Sequence, residues 1–403
     1  MEDVNKKTTA APAEMSAEEV MQKFDKESNK REPDGFWGYV ISAICILFAA
    51  FQLYTAVFGV LDAHLQRTVH LCFGLALIYL LYPARASWSK KTMHPLDLLF
   101  AVLSVFATMY IWFEYDELVV RAGMNTDTDI MVGIIGIILV FEAARRTVGW
   151  PMITVALIFL AYAFAGPYMP GIMAHRGVGF DELVSHLYFT TEGIFGVPMG
   201  VSSTFIYLFI LFGAYLEATG LGKFFIDLAN ALAGWAVGGP AKVAVLSSGL
   251  MGTVSGSSVA NVAGTGSFTI PMMKKLGYRP AFAGAVEAAA STGGQLMPPV
   301  MGAAAFLMAE FVGVPYIDVV KAAVIPAVLY YTGIWIGVHY EAKKYGLKGT
   351  PREELPKFGE LLREKGHLAV PLIIIVYLLV TGYTPMRAAL YAIGLTIVCA
   401  CLR

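Results

Sequence analysis

The sequence predicts an all-α polytopic membrane protein, and three observations carry that prediction. Apolar types make up 57% of the 403 residues and charged types only 15%, against about 45–50% and about 25% in soluble domains. The mean hydropathy is +0.64. A water-soluble globule of this length needs more surface charge than the chain carries, so a soluble enzyme, a disordered protein and a coiled coil are excluded. Second, the apolar residues form long continuous runs. That is the pattern of helices crossing about 30 Å of hydrocarbon in about 20 residues, and not the short alternating segments of a β-barrel. Third, the basic residues collect in alternate connections between those runs.

The elements follow in chain order. Residues 1–35 are polar, rich in Lys and Glu, and lack an early apolar core, so they do not read as a signal peptide. They are expected to be a mobile cytoplasmic tail with a short amphipathic helix near Glu18 to Phe24. Spans are expected near 37–60, 67–83, 95–113, 130–144, 150–168, 199–218, 321–342, 367–384 and 386–402, with soft boundaries at the short 130–144 and 386–402. Residues 171–197, with His175, Arg176, Asp181, Glu182 and His186, read as a surface-lying connection on the outer side. Residues 221–235 place Leu221, Phe225, Leu228, Leu232 and Trp235 on one stripe, which predicts a helix lying at the membrane surface. The region 240–310 is apolar but broken by Gly, Ser and Pro.

The basic residues set the expected orientation. With the N-terminus cytoplasmic, Arg85, Lys90 and Lys91 fall inside, as do Arg145 and Arg146, then Lys223 and Lys242. If 240–275 is a hairpin that enters and leaves on one side, Lys274, Lys275 and Arg279 are inside too. The densest basic loop, Lys343 to Lys365, then follows them there. The acidic stretch Glu114, Asp116, Glu117, Asp127 and Asp129 lies outside. A single crossing by 240–275 would invert every later loop, so the charge pattern favours a re-entrant hairpin.

Several function classes find no support. Net charge is −1, which provides no basic field for nucleic acid. Cys45, Cys72, Cys399 and Cys401 lie in apolar runs and read as small packing residues. The seven histidines are scattered, which argues against a membrane enzyme with clustered metal ligands. The chain is read as no enzyme and as needing no cofactor. No GxxxxGK[ST] motif occurs, so any energy comes from a gradient or from elsewhere.

Chemistry concentrates in 249–302. One helix-breaking cluster is Ser255-Gly256-Ser257-Ser258, followed by Asn261. The other is Ser291-Thr292-Gly293-Gly294-Gln295, followed by Pro298-Pro299. A helix broken inside a bilayer exposes carbonyls and amides, each costing several kcal/mol against lipid, so breaks occur where protein or a watery site satisfies them. Freed carbonyls with Ser, Thr and Asn oxygens are hard ligands suited to Na⁺. Helix N-termini after a break offer amides and a positive dipole end to an anion. Close helix packing or a simple kink is the alternative for such clusters. At the second break, Gly293 and Gly294 are expected to supply backbone freedom, including positive φ. Pro298-Pro299 is expected to restart the helix, and Gln295 to point into the cavity. Glu287, one turn before Ser291, is an ionisable group within an apolar run and so a functional candidate. Its alternative is a carboxylate held by neighbouring hydroxyls or near the cytoplasmic end. Glu142 is expected to pair locally with Arg145 and Arg146, and Glu217 and Glu310 to be interfacial.

The runs SGSSVANVAGTGSFTIPMMKKLGY and AGAVEAAASTGGQLMPPVMG closely resemble the large membrane subunit of tripartite ATP-independent periplasmic (TRAP) transporters, over about 249–310. The helices of 36–150 look like that family's small four-helix subunit, fused in front of a large-subunit-like portion at 151–403. The resemblance implies an inverted-repeat, elevator-type fold with a re-entrant hairpin at 240–275 and a broken helix at 280–310. It also implies a permease of the bacterial or archaeal cytoplasmic membrane. A periplasmic solute-binding protein would deliver an organic acid (a carboxylate), and an ion gradient, usually Na⁺ with H⁺ as the alternative, would drive uptake. Carried over, the implied ion ligands are Ser255, Gly256, Ser257, Ser258, Asn261, Ser291, Thr292, Gly293 and Gly294. The implied solute contacts are Ser257, Ser258, Thr292, Gln295 and Pro298. The family's second, inverted half has no counterpart in the sequence, so a fragment or truncated product is expected, with the missing half as a further partner. A stand-alone ion-coupled carboxylate carrier and an inactive fragment are the alternative readings.

Overall fold

The computed structural model describes residues 30, 31, 33, 35–85, 88 and 92–401, and the expected helix near Glu18 to Phe24 lies outside them. Among the described residues every regular element is helical. Six helices of the described residues are long and apolar enough to span a bilayer: Phe36–Phe58 (α1), Ala63–Leu81 (α2), Pro95–Phe113 (α3), Trp150–Tyr168, Val197–Ala218 (α8) and Tyr316–Lys344. The protein is an all-α polytopic membrane protein.

Two compact units divide the chain, Met1–Ala50 with Leu61–Met199 and Phe51–Val60 with Gly200–Arg403. In the first unit, α2 begins at the N-cap Asp62, whose side chain accepts the His64 N–H at 3.0 Å. After the short helix Tyr115–Val120 (α4) comes Asp127–Thr147 (α5), longer at both ends than the predicted 130–144. A capping box between Thr126 and Asp129 starts α5, and Arg145 and Arg146 stabilise the carbonyl end of its dipole. Glu142 pairs with both arginines, as the spacing suggested. Arg146 and Arg31 also clasp the buried Asp97 at 2.7 and 2.6 Å. Trp150–Ala165 (α6) follows, then Phe180–Tyr188 (α7). In the predicted surface connection Arg176, Asp181, Glu182 and His186 are exposed, but two of its aromatic residues turn inward. Tyr188 and Phe195 are fully buried in the core with Tyr79 and Ile111. Gly136 allows this, because a Cβ there would meet the Tyr188 ring at 2.2 Å.

In the second unit, α8 carries a π-helical stretch at Ser202–Ile206. Leu221–Ala233 (α9) buries Leu221, Phe224, Phe225, Ala229 and Ala233, whereas Leu232 and Trp235 of the predicted stripe are exposed. The buried face is rotated because α9 covers the next helix, Gly239–Ser255 (α10), rather than lying alone on a surface. Ser258–Lys275 (α11), Pro280–Gly293 (α12), Ala303–Val312 (α13) and Tyr316–Lys344 (α14) follow. At about 1.5 Å per residue, the 29 residues of α14 reach about 43 Å, well beyond the predicted 321–342. Phe358–Lys365 (α15) leads through a 3₁₀ turn at Gly366–Ala369 into Val370–Val380 (α16). That helix is shorter than the predicted 367–384, since Gly382 at φ +91° ends it. Pro385–Cys401 (α17) closes the described chain and packs on α16 and α8.

Candidate functional site

Helices α10 and α11 lie antiparallel. Ser248 and Thr265 touch hydroxyl to hydroxyl at 2.9 Å, and the Asn261 amide donates to the Ser248 carbonyl at 3.3 Å. The tip turns at Gly256, whose φ of +59° suits glycine, and a Cβ there would meet the Met301 carbonyl oxygen at 2.0 Å. Ser257 is extended and N-caps α11, its Oγ accepting the Ala260 N–H at 3.3 Å. The Ser255 hydroxyl accepts the Ser257 N–H at 3.4 Å and donates to Asn261 Oδ1 at 2.7 Å. Asn261 is fully buried, so its amide holds the two arms together.

The second break opens where α12 ends at Gly293. Gly294 has φ −58°, so positive φ is not what its position requires, contrary to expectation. Close approach is the reason instead. A Cβ on Gly294 would meet Asn261 Nδ2 at 2.5 Å and Gly252 Cα at 2.9 Å, and one on Gly293 would meet the Tyr330 ring at 2.5 Å. The chain tightens through Gly294 N–H to Ser291 O and Gln295 N–H to Thr292 O. It returns when Gly302 N–H donates to Gln295 O at 2.9 Å. The helix restarts at Ala303, not at Pro298-Pro299 as predicted. The residue before each proline is disfavoured from helical geometry, which pushes the restart past the pair. Met301, at φ +57°, is the strained residue of this loop. The carbonyls of Pro299 and Val300 lie 2.8 and 2.7 Å from the Tyr316 hydroxyl, and α14 donates Tyr330 and Tyr331 hydroxyls to Ala289 O and Ala290 O.

The two breaks therefore touch, Gly252 against Gly294 and Gly256 against Met301. Beside the junction lies a cavity of about 350 Å³, lined among others by Ser255, Gly256, Ser257, Met301, Ala303 and Glu217. Ser258 and Pro298 are half-buried, Thr292 and Gln295 are exposed, and none of the four lines this cavity. Ser291 is fully buried and turns its hydroxyl to Glu287 at 3.1 Å. Sequence reasoning missed Met301, and it read Glu217 as interfacial. The π-helical stretch that brings Ile206 to the cavity has no signature in the hydropathy pattern.

Glu287 is fully buried, with the hydroxyls of Ser248, Thr265, Thr269 and Ser291 around its carboxylate. Its carboxylate is held by neighbouring hydroxyls and does not sit at a helix end. Gly266 lets α11 approach, since a Cβ there would meet Glu287 Cγ at 3.0 Å.

Sequence comparisons agree with this architecture. The C4-dicarboxylate TRAP transporter large permease protein of Pseudomonas aeruginosa is 32% identical over 185 residues, 46% of this chain and 43% of that protein. The isethionate TRAP transporter permease protein of Oleidesulfovibrio alaskensis is 30% identical over 202 residues, 48% of this chain and 30% of that protein. The sialic acid TRAP transporter large permease protein of Vibrio cholerae is 28% identical over 192 residues, 46% of this chain and 44% of that protein. The chain thus matches about half or less of the length of these relatives. The profile of the family described as tripartite ATP-independent periplasmic transporter, DctM component, matches residues 135–403 and so takes in the hairpin, both breaks and the cavity. On that match, the chain belongs to the DctM component family of tripartite ATP-independent periplasmic transporters.

Proposed function

We propose that this chain serves ion-gradient-driven uptake of an organic anion across the cytoplasmic membrane, taking its solute from a periplasmic binding protein. The observation that carries the reading is the meeting of the two helix breaks. The carbonyl ends of α10 and α12 come together at Gly252 and Gly294, and there negative dipole ends favour a cation. The amide ends of α11 and α13 reach one cavity at Ser257 and Ala303, and there positive dipole ends favour an anion. Cation and anion subsites thus adjoin across a few residues. Occupancy of one favours the other by direct attraction, which is the physical basis of symport.

Na⁺ is the proposed coupling ion at the tip. Its oxygens come from Ser255 to Ser258 and from the turn after Ser291. The solute class is a carboxylate or a related organic acid, in keeping with the names of the relatives, which cite a C4-dicarboxylate, isethionate and sialic acid. The test is uptake of candidate organic acids into cells or proteoliposomes carrying the chain with its neighbouring system components. Binding protein, Na⁺ gradient and proton gradient are each imposed or removed in turn. Accumulation that requires both the binding protein and a gradient is expected. Uptake indifferent to every gradient, or a permeability that needs no binding protein, would overturn the reading.

A further inference from the structure

Away from the cavity at the two breaks, α10 and α14 run antiparallel side by side. A Cβ on Gly249 would meet the Tyr331 ring at 3.1 Å, and two turns nearer the start of α10 Lys242 Nζ lies 3.2 Å from His339 Nδ1. A second cavity, of about 390 Å³, lies between these helices. Val245, Leu246 and Gly249 form one wall, and Val328, Tyr331 and Trp335 the other. The cavity follows α14 from Ala327 to Trp335, a rise of about 12 Å. Its walls are aliphatic and aromatic, and the Tyr331 hydroxyl is taken up by the Ala290 carbonyl at 2.9 Å. Val328 and Thr332 are exposed, so the groove opens sideways, on the flank that lipid would cover.

A lysine closes one end of this groove. Lys242 is only 5% exposed, and a buried ammonium is costly without an anion. Its contacts are His339 Nδ1 and the Trp335 ring, whose centroid is 5.1 Å from Nζ. Neither carries negative charge. Among the described residues the carboxylates of the helices packed against α10 are placed elsewhere. Asp227 of α9 pairs with Lys365, and on α14 Asp318 pairs with Lys321 and Glu341 with Arg279. Glu287 of α12 is held by hydroxyls, and Glu217 of α8 lines the other cavity.

Trp335 belongs to both features, since it lines the groove and carries the ammonium on its ring. The positive charge therefore stands at the mouth of an apolar slot. His339 is one turn beyond Trp335 on α14, and Lys343, which is exposed, one turn beyond that on the same face. Tyr340 and Tyr345 are exposed there beside Arg279 and Lys344. Aromatic and basic residues gather in this way at the level of lipid headgroups. The basic residues are those expected on the cytoplasmic side, where the leaflet is anionic and basic pockets between helices hold anionic headgroups. A soluble anion would neutralise Lys242 and leave the groove unfilled. An apolar helix would fill the groove and leave the ammonium without an anion. An acyl chain carrying an anionic headgroup satisfies both.

We propose that the groove between α10 and α14 is a binding site for an anionic phospholipid. Its phosphate meets Lys242 and Lys343 and the Nε2–H of His339, which is the donor left when Nδ1 faces the ammonium. One acyl chain runs along 245–249 against Tyr331. That ring backs the second break, because a Cβ on Gly293 would meet it at 2.9 Å, so the lipid supports the end of α12 from outside. The site requires neither solute nor coupling ion and stands independently of the uptake reading.

The test uses the full chain, purified in detergent and stripped of lipid. Phosphatidylglycerol or phosphatidylcholine of equal chain length is added, bound lipid is counted by native mass spectrometry, and melting is followed in parallel. The wild type is expected to bind phosphatidylglycerol about tenfold more tightly than phosphatidylcholine and to melt higher with it. Lys242→Gln removes the charged hydrogen bonds to phosphate and lowers that affinity about tenfold, while Lys242→Arg keeps the preference. Thr332→Phe fills the groove and weakens binding of both lipids, with lipid-free melting unchanged. If Lys242→Gln fails to fold, Lys242→Arg, Thr332→Phe and the lipid comparison still decide. Equal affinity for the two lipids, a preference that survives Lys242→Gln, or binding unchanged in Thr332→Phe overturns the site. Equal protection by inorganic phosphate assigns Lys242 to a soluble anion and also overturns it. So does a lipid-free dimer that Thr332→Phe separates, since a second copy then fills the groove.

Discussion

One chemical change, glycine to alanine, is expected to have opposite effects at two positions of the second unit. A Cβ at Gly252 would stand 2.3 Å from Gly294 Cα, whereas one at Gly284 meets nothing within 4 Å. Non-bonded carbons prefer about 3.5–4.0 Å, so Gly252→Ala must drive the two breaks apart by more than about 1 Å. Overpacking of this kind costs about 1–3 kcal/mol, and the better helix propensity of alanine returns about 0.8–1.0 kcal/mol. The net loss is therefore about 0–2 kcal/mol, and the variant stays folded with a slightly lowered melting temperature. Uptake suffers more, because the shift falls on the junction that sets both subsites. A loss of 1.4 kcal/mol in their complementarity is already about tenfold. At Gly284 only the propensity gain remains, so Gly284→Ala melts higher and transports normally. The paired assay is uptake with binding protein present, together with melting in detergent. Gly252→Ala with wild-type uptake and melting would refute the claim that the contact between the breaks builds the site. So would inactivity explained wholly by unfolding.

Ser257→Ala removes the N-cap of α11 at a cost of about 1 kcal/mol, and it is expected to weaken Na⁺ activation more than folding. Asn261→Ala leaves Ser255 without its acceptor inside the hairpin and is expected to cost about 1–3 kcal/mol of stability as well; unchanged Na⁺ activation in both variants counts against the tip as an ion site. A cysteine at position 275, in a background without Cys45, Cys72, Cys399 and Cys401, is expected to label only from the cytoplasm, as is one in the 343–365 loop; labelling from the periplasm in intact cells contradicts the hairpin orientation. In the first unit, Asp97→Asn leaves Arg31 and Arg146 buried without their shared carboxylate, and it is expected to destabilise by about 3–5 kcal/mol; a melting temperature like that of the wild type would show that the cluster does not hold the unit together.

The spans were legible along the chain because transfer of apolar side chains is additive over about 20 residues and needs no knowledge of neighbours. Phe36–Phe58, Pro95–Phe113 and Val197–Ala218 fall within a few residues of their expected places for that reason. The interruptions at Ser255–Ser258 and Ser291–Gly294 were legible too, since Gly, Ser and Pro act on their own backbone. So was the pairing of Glu142 with Arg145 and Arg146, one helical turn apart.

Other features depend on residues far apart in sequence, and only packing decided them. The loop after the second break is fixed by Tyr316, whose hydroxyl meets the Pro299 and Val300 carbonyls. The glycine at 294 is required by the approach of Gly252, not by its own φ. The α9 face turns toward α10, and Tyr188 and Phe195 sink into a core that no local pattern announces. The environment of Glu287 is the clearest instance. Sequence alone determined that an ionisable group sits in an apolar run one turn before Ser291. The cage around it draws hydroxyls from three helices, at positions 248, 265, 269 and 291, and only their convergence in space satisfies a carboxylate buried in an apolar run.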